Sequence, residues 1–104
     1  MSQYTIRTTI QFDSWLSNLK DRNARGVIIR RIEQAENGNW GDCASVGAGI
    51  SEMRVFVGPG YRIYFARFGT ILYMLLNGSD KADQHRAIKA AKLILAELQE
   101  QPHG

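Results

Sequence analysis

The sequence predicts an α+β domain: an N-terminal strand and a helical hairpin packed on an antiparallel β-meander, with a C-terminal helix. Three observations carry that prediction. Apolar residues between positions 12 and 35 recur at helical spacing; between 50 and 76 they alternate or run on between glycine turns; after Asn77-Gly78 the helical spacing returns. At 104 residues, 44% hydrophobic and 22% charged, the chain has the length of one domain and enough apolar surface to bury a core without staples. That domain is expected over residues 1–101, with 102–104 a tail.

Residues 4–8, Tyr-Thr-Ile-Arg-Thr, read as a first strand. Phe12, Trp15, Leu16 and Leu19 then fall on one helical face, with Thr8 or Thr9 as N-cap. Asp21 is placed to cap a second helix whose stripe is Ala24, Val27, Ile28, Ile32 and Ala35, and Asn37-Gly38 ends it. Residues 39–49 read as a loop. Residues 50–57 alternate, with Ser51, Met53, Val55 and Val57 on one side and Ile50, Glu52, Arg54 and Phe56 on the other. Gly58-Pro59-Gly60 reads as a hairpin turn into residues 61–68, where Ile63 and Phe65 face the core and Arg62 and Tyr64 the opposite side. Residues 71–76 are apolar on both faces, the mark of a central strand. These make a three-stranded meander. Asn77-Gly78 is expected to end it, and Ser79 or Asp80 to cap a last helix burying Ala87, Ala91, Ile94, Leu95 and Leu98.

Composition excludes several classes. The longest apolar run is far below the ~20 residues needed to cross a bilayer, so no membrane partner is expected. One cysteine, Cys43, makes no internal disulfide, and His85 and His103 lack metal-site spacing, so neither metal nor cofactor is expected. The first residues, Met1-Ser2-Gln3-Tyr4, carry no export signal, so a cytoplasmic location is expected. Net charge is +3, but residues 50–92 hold seven bases against three acids. That local excess points to an anionic partner.

The chemistry-bearing residues are basic and aromatic. Arg54 and Arg62 fall near one another across the hairpin, where like charges repel unless an anion joins them. Glu52 is one such anion; a phosphodiester, bound bidentately by guanidinium, is the other. Tyr64 either stacks on a base or covers apolar sheet. Gly58-Pro59-Gly60 lies between strands rather than before a helix, so it is not read as a phosphate loop.

Three blocks carry a family resemblance: Gly49-Ile50-Ser51-Glu52-Met53-Arg54; Gly58-Pro59-Gly60-Tyr61-Arg62-Ile63-Tyr64; and the run from Leu75 through Asn77-Gly78-Ser79-Asp80-Lys81 to Gln84. In that order they resemble the RelE/ParE toxin superfamily, and are most similar to the HigB-like "addiction module killer protein" branch of type II toxin–antitoxin systems. That branch runs Glu-Leu-Arg, Gly-Pro-Gly-Tyr-Arg-(Ile/Val)-Tyr and Gly-Gly-Asp-Lys; this chain departs with Met53 and with Asn77-Gly78-Ser79, keeping every charged group.

The resemblance implies a cytoplasmic toxin that enters the ribosome and cuts mRNA without a metal, held inactive in a hetero-oligomer by a cognate antitoxin, expected to be a helix-turn-helix protein. It implies catalytic roles for Arg54, Arg62 and Lys81, and for His85 as the one candidate for the Tyr or His that members carry near the C-terminus. Tyr61, Tyr64, Arg67 and Arg86 are the further residues expected to contact RNA. The 2′-hydroxyl would attack the neighbouring phosphorus, leaving a 2′,3′-cyclic phosphate and a 5′-hydroxyl. The same superfamily includes gyrase-inhibiting ParE-type toxins, and a non-catalytic RNA- or protein-binding module is a third possibility. Since Arg62 lies opposite Ile63 and Phe65, Arg62→Ala is expected to abolish toxicity without disturbing the fold.

Overall fold

The computed structural model describes residues 3–100; the proposed tail at 102–104 lies outside them. Strand β1 (Thr5–Thr8) is followed by helices α1 (Ile10–Asn18) and α2 (Arg22–Glu36), strands β2 (Cys43–Gly47), β3 (Ile50–Val55), β4 (Tyr61–Phe68) and β5 (Leu72–Asp80), and helix α3 (Gln84–Glu100). The five strands form one mixed sheet in the order β1-β5-β4-β3-β2. β2 to β5 run antiparallel as a meander, and β1 pairs in parallel with β5.

Local chemistry sets the helix ends. The Thr9 hydroxyl accepts from the Phe12 N–H at 3.0 Å and donates to the Leu76 carbonyl, so one buried side chain caps α1 and ties it to β5. The Asp21 carboxylate accepts from the Ala24 N–H at 3.1 Å and caps α2. Gly38, at φ +94°, takes the left-handed conformation that turns the chain out of α2.

Two cores flank the sheet. On one face Phe12 of α1 and Ala24, Ile28 and Ala35 of α2 pack on Met53, Val55, Ile63, Phe65 and Leu75. On the other, Ala87, Ala91, Ile94 and Leu95 of α3 pack on Ile50, Tyr64, Ala66 and Leu76. Trp40 stacks on Phe65 (centroids 4.8 Å apart) and meets Tyr73 (4.4 Å), closing one side of the first core.

The structure corrects three sequence expectations. Residues 39–49 are not all loop: 43–47 form β2, a strand of small residues joined to β3 through Gly47-Ala48-Gly49, all at positive φ. The meander therefore has four strands, not three. The third expected strand, residues 71–76, lies inside the sheet as its two apolar faces predict: β5 sits between β1 and β4, with helices packed on either face. Asn77-Gly78, however, does not end β5. The strand runs on to Asp80, with a bulge opposite Tyr64 and Phe65, and Gly78 is glycine because a Cβ there would run into the Trp15 ring. Neither Ser79 nor Asp80 is the cap of α3: Asp80 Oδ1 accepts from the Asp83 N–H at 3.0 Å, fixing the turn that precedes the helix. No helix among the described residues is long and apolar enough to cross a membrane.

Candidate functional site

The β3–β4 ladder sets Arg54 directly opposite Arg62, and the β4–β5 ladder sets Tyr61 opposite Asp80. Lys81, the next residue, therefore arrives beside the hairpin turn, where its N–H donates to the Gly60 carbonyl at 3.1 Å. The turn itself is tight. The Val57 N–H donates to Val55 O at 3.1 Å and the Gly60 N–H to Val57 O at 3.0 Å, so β3 stops two residues short of the expected 57. Together these pieces enclose a cleft of about 390 Å³ lined by Arg54, Arg62 and Lys81, by the turn, and by Phe56 and Tyr61.

The two arginines are held differently. Arg62 Nη1 donates to Glu52 Oε1 at 2.8 Å, with side-chain exposures of 14% and 3%. Gln84 Nε2, from α3, donates to the other carboxylate oxygen at 2.9 Å, so a buried carboxylate has both oxygens satisfied and fixes the guanidinium. Arg54 Nη2 pairs with Asp42 Oδ1 at 2.9 Å, and this pair is 34% and 40% exposed. Arg31 of α2 pins the backbone there: Nη1 donates to Arg54 O at 2.7 Å and Nη2 to Trp40 O at 3.1 Å. The Nε atoms of Arg54 and Arg62 are both buried without a partner among the described residues. Each fork is thus only partly used by the protein.

Other expected site residues lie elsewhere. Tyr64 is fully buried in the α3-side core, its hydroxyl 3.2 Å from Ser79 Oγ, so its ring presents no face for a base. Burial pushes its phenol above the ordinary tyrosine range, against a smaller opposing effect of the Ser79 hydrogen bond. Arg67 sits five residues along β4, roughly 17 Å from Arg62 at strand rise, and donates to the carbonyls of Gly69 and Thr70. His85 is exposed on the first turn of α3 and is not on the cleft lining. Arg86 is exposed and lines a neighbouring depression of about 290 Å³ with Trp15, Asn77 and Asp83. Tyr61 borders both hollows but is a core ring, edge-on to Trp15 at 6.2 Å. Burial likewise raises the Cys43 thiol, outweighing the nearby Arg31, so this cysteine is no ready thiolate. Among the described residues no group of His, Cys, Asp or Glu side chains gathers as a metal site.

The arrangement missed in the sequence is the support around the cations. Asp42 and Arg31 lie far from the hairpin in sequence, and only the fold brings them to it. Gln84 stood in the third motif block without an assigned task. Chemically, the cleft offers two guanidinium groups and an ammonium to an oxyanion, while its lining provides no carboxylate or imidazole.

No family model matches the chain. An uncharacterized protein of Haemophilus influenzae is 47% identical to it over 93 residues, which cover 89% of this chain and 94% of that protein. At that identity and coverage, the chain belongs to the same family as the Haemophilus influenzae protein.

Proposed function

We propose that the protein is the toxin of a type II toxin–antitoxin pair with a RelE/ParE-like fold, and that it is a ribosome-dependent, metal-independent mRNA endoribonuclease. The observation that supports this most is the convergence of Arg54, Arg62 and Lys81, from β3, β4 and the turn after β5, on one cleft. Counting Glu52 and Asp42 with them, the cluster remains net positive, which suits a phosphodiester.

In this reading the 2′-oxygen of one nucleotide forms a bond to the adjacent phosphorus as the bond to the 5′-oxygen breaks. A base takes the 2′-hydroxyl proton and the departing 5′-oxygen gains one, leaving a 2′,3′-cyclic phosphate and a 5′-hydroxyl. Arg54 and Arg62 stabilise the charge that grows on the non-bridging oxygens, and Lys81 adds a third donor. With no carboxylate or imidazole on the lining, proton transfer falls to Lys81 and to groups the ribosome brings to the bound message. The antitoxin, a helix-turn-helix protein in this reading, would cover the cleft or block entry to the ribosome.

The test is cleavage of message on programmed ribosomes with a chelator present. The expected result is codon-positioned cutting with cyclic-phosphate and 5′-hydroxyl ends, and no cutting of free message. Intact message with gyrase arrest and DNA breaks would instead identify a ParE-type toxin; no effect on either would identify a non-catalytic module.

A further inference from the structure

We infer that Phe56 is the platform on which a nucleobase of the bound strand stacks. This rests on the cleft holding a phosphodiester and adds the element that engages the base. Phe56 is 77% exposed and is the one aromatic among the large apolar side chains left exposed in the described residues. The other rings pack within the protein: Tyr64 and Phe68 belong to the α3-side core, Phe12, Trp15, Trp40, Tyr61, Phe65 and Tyr73 to the other, and Tyr4 lies edge-on to Trp40 and Tyr73.

A single exposed phenylalanine is ordinary on a protein surface; its position gives this one meaning. Phe56 lies on the lining of the same cleft as Arg54, Arg62 and Lys81. It is the central residue of the three-residue turn closed by the Val57 N–H and Val55 carbonyl, so its backbone is held while its ring is free. Arg54 is two residues away, about 6–7 Å along an extended chain. A cationic groove with an adjoining aromatic face is how single-stranded nucleic acid is held without reading its sequence, because every base has a π-face. Tyr64, the ring expected in this role, is closed off, and Phe56 takes its place.

The test is equilibrium binding at low salt of two short, uncleavable strands, a 2′-O-methyl oligoadenylate and an abasic strand of equal length. Wild type, Phe56→Ala and Phe56→Trp are compared; an exposed turn side chain can be changed without unfolding the protein. Phe56→Ala should weaken oligoadenylate binding about 5–150-fold and leave the abasic strand unaffected. Phe56→Trp should retain affinity, with fluorescence quenched by oligoadenylate and not by the abasic strand. Unchanged oligoadenylate binding in Phe56→Ala, or equal losses on both strands, overturns the stacking role and assigns the ring to a protein contact, with the cleft reading intact. Failure of the wild type to bind either strand overturns the cleft reading, and the stacking role with it.

Discussion

Arg54 and Arg62 are the same residue type, paired directly across one ladder, yet the fold uses them in opposite ways. Arg62 belongs to a part-buried network that runs from β4 through Glu52 on β3 to Gln84 on α3. Arg54 meets a half-exposed aspartate beside the edge strand. An exposed pair of that kind contributes about 0–1 kcal/mol, whereas removing one partner of a buried pair costs about 3–5 kcal/mol because the other charge is stranded. The difference teaches that one guanidinium is anchored as part of the fold, while the other is held only by an exposed pair and, in the proposed function, is the one that exchanges Asp42 for a ligand.

The largest expected effect comes from Arg62→Ala. Losing a fixed charge donor should lower the proposed cleavage by about 10²–10³, and leaving Glu52 buried without its counter-charge should lower unfolding stability by about 3–5 kcal/mol in denaturant titrations. Against the sequence-based expectation that the change spares the fold, the pair with Glu52 predicts a loss of stability. Replacing both partners, Arg62→Met with Glu52→Leu, should recover stability without recovering activity.

Arg54→Ala sharpens the contrast. It should lose about 10²–10³ in the proposed cleavage while unfolding within about 1 kcal/mol of wild type. A stability loss equal to that of Arg62→Ala would break the comparison. Gln84→Ala, which removes a hydrogen bond to a buried carboxylate, should cost about 1.5–3 kcal/mol by the same titration.

The smallest effect is expected from Tyr64→Phe, about 0.5–1.5 kcal/mol at neutral pH from loss of the Ser79 hydrogen bond. Its diagnostic is alkaline. The folded state holds the Tyr64 proton more tightly than the unfolded chain does, so this contribution is full below the unfolded value of about 10 and is lost as pH rises through the higher folded one. Melting curves between pH 8 and 11 should show a shallower alkaline decline for Tyr64→Phe than for wild type.

Where local chemistry decides structure, the sequence was readable. Thr9 and Asp21 cap the helices expected of them, Gly38 ends α2, and alternation across a short turn set Arg54 against Arg62. What was hidden depends on distant partners. β2 is built of Cys, Ala, Ser, Val and Gly and carries little strand signal of its own, and β1 finds its parallel neighbour more than sixty residues away. Alternation assigned Tyr64 to a face correctly but gave no sign that α3 covers that face. The same blindness left both Glu52 and a phosphodiester as candidates for the anion beside Arg62; the fold places Glu52 there, 2.8 Å from the guanidinium.

The central claim, that Arg54, Arg62 and Lys81 together hold a phosphodiester, is tested most directly by the salt dependence of single-strand binding. With one phosphate neutralised by the cluster, log K against log salt should fall with a slope of about −0.7, and Arg54→Ala or Lys81→Ala should each make it shallower. A slope near zero, or one that neither substitution changes, would contradict the account.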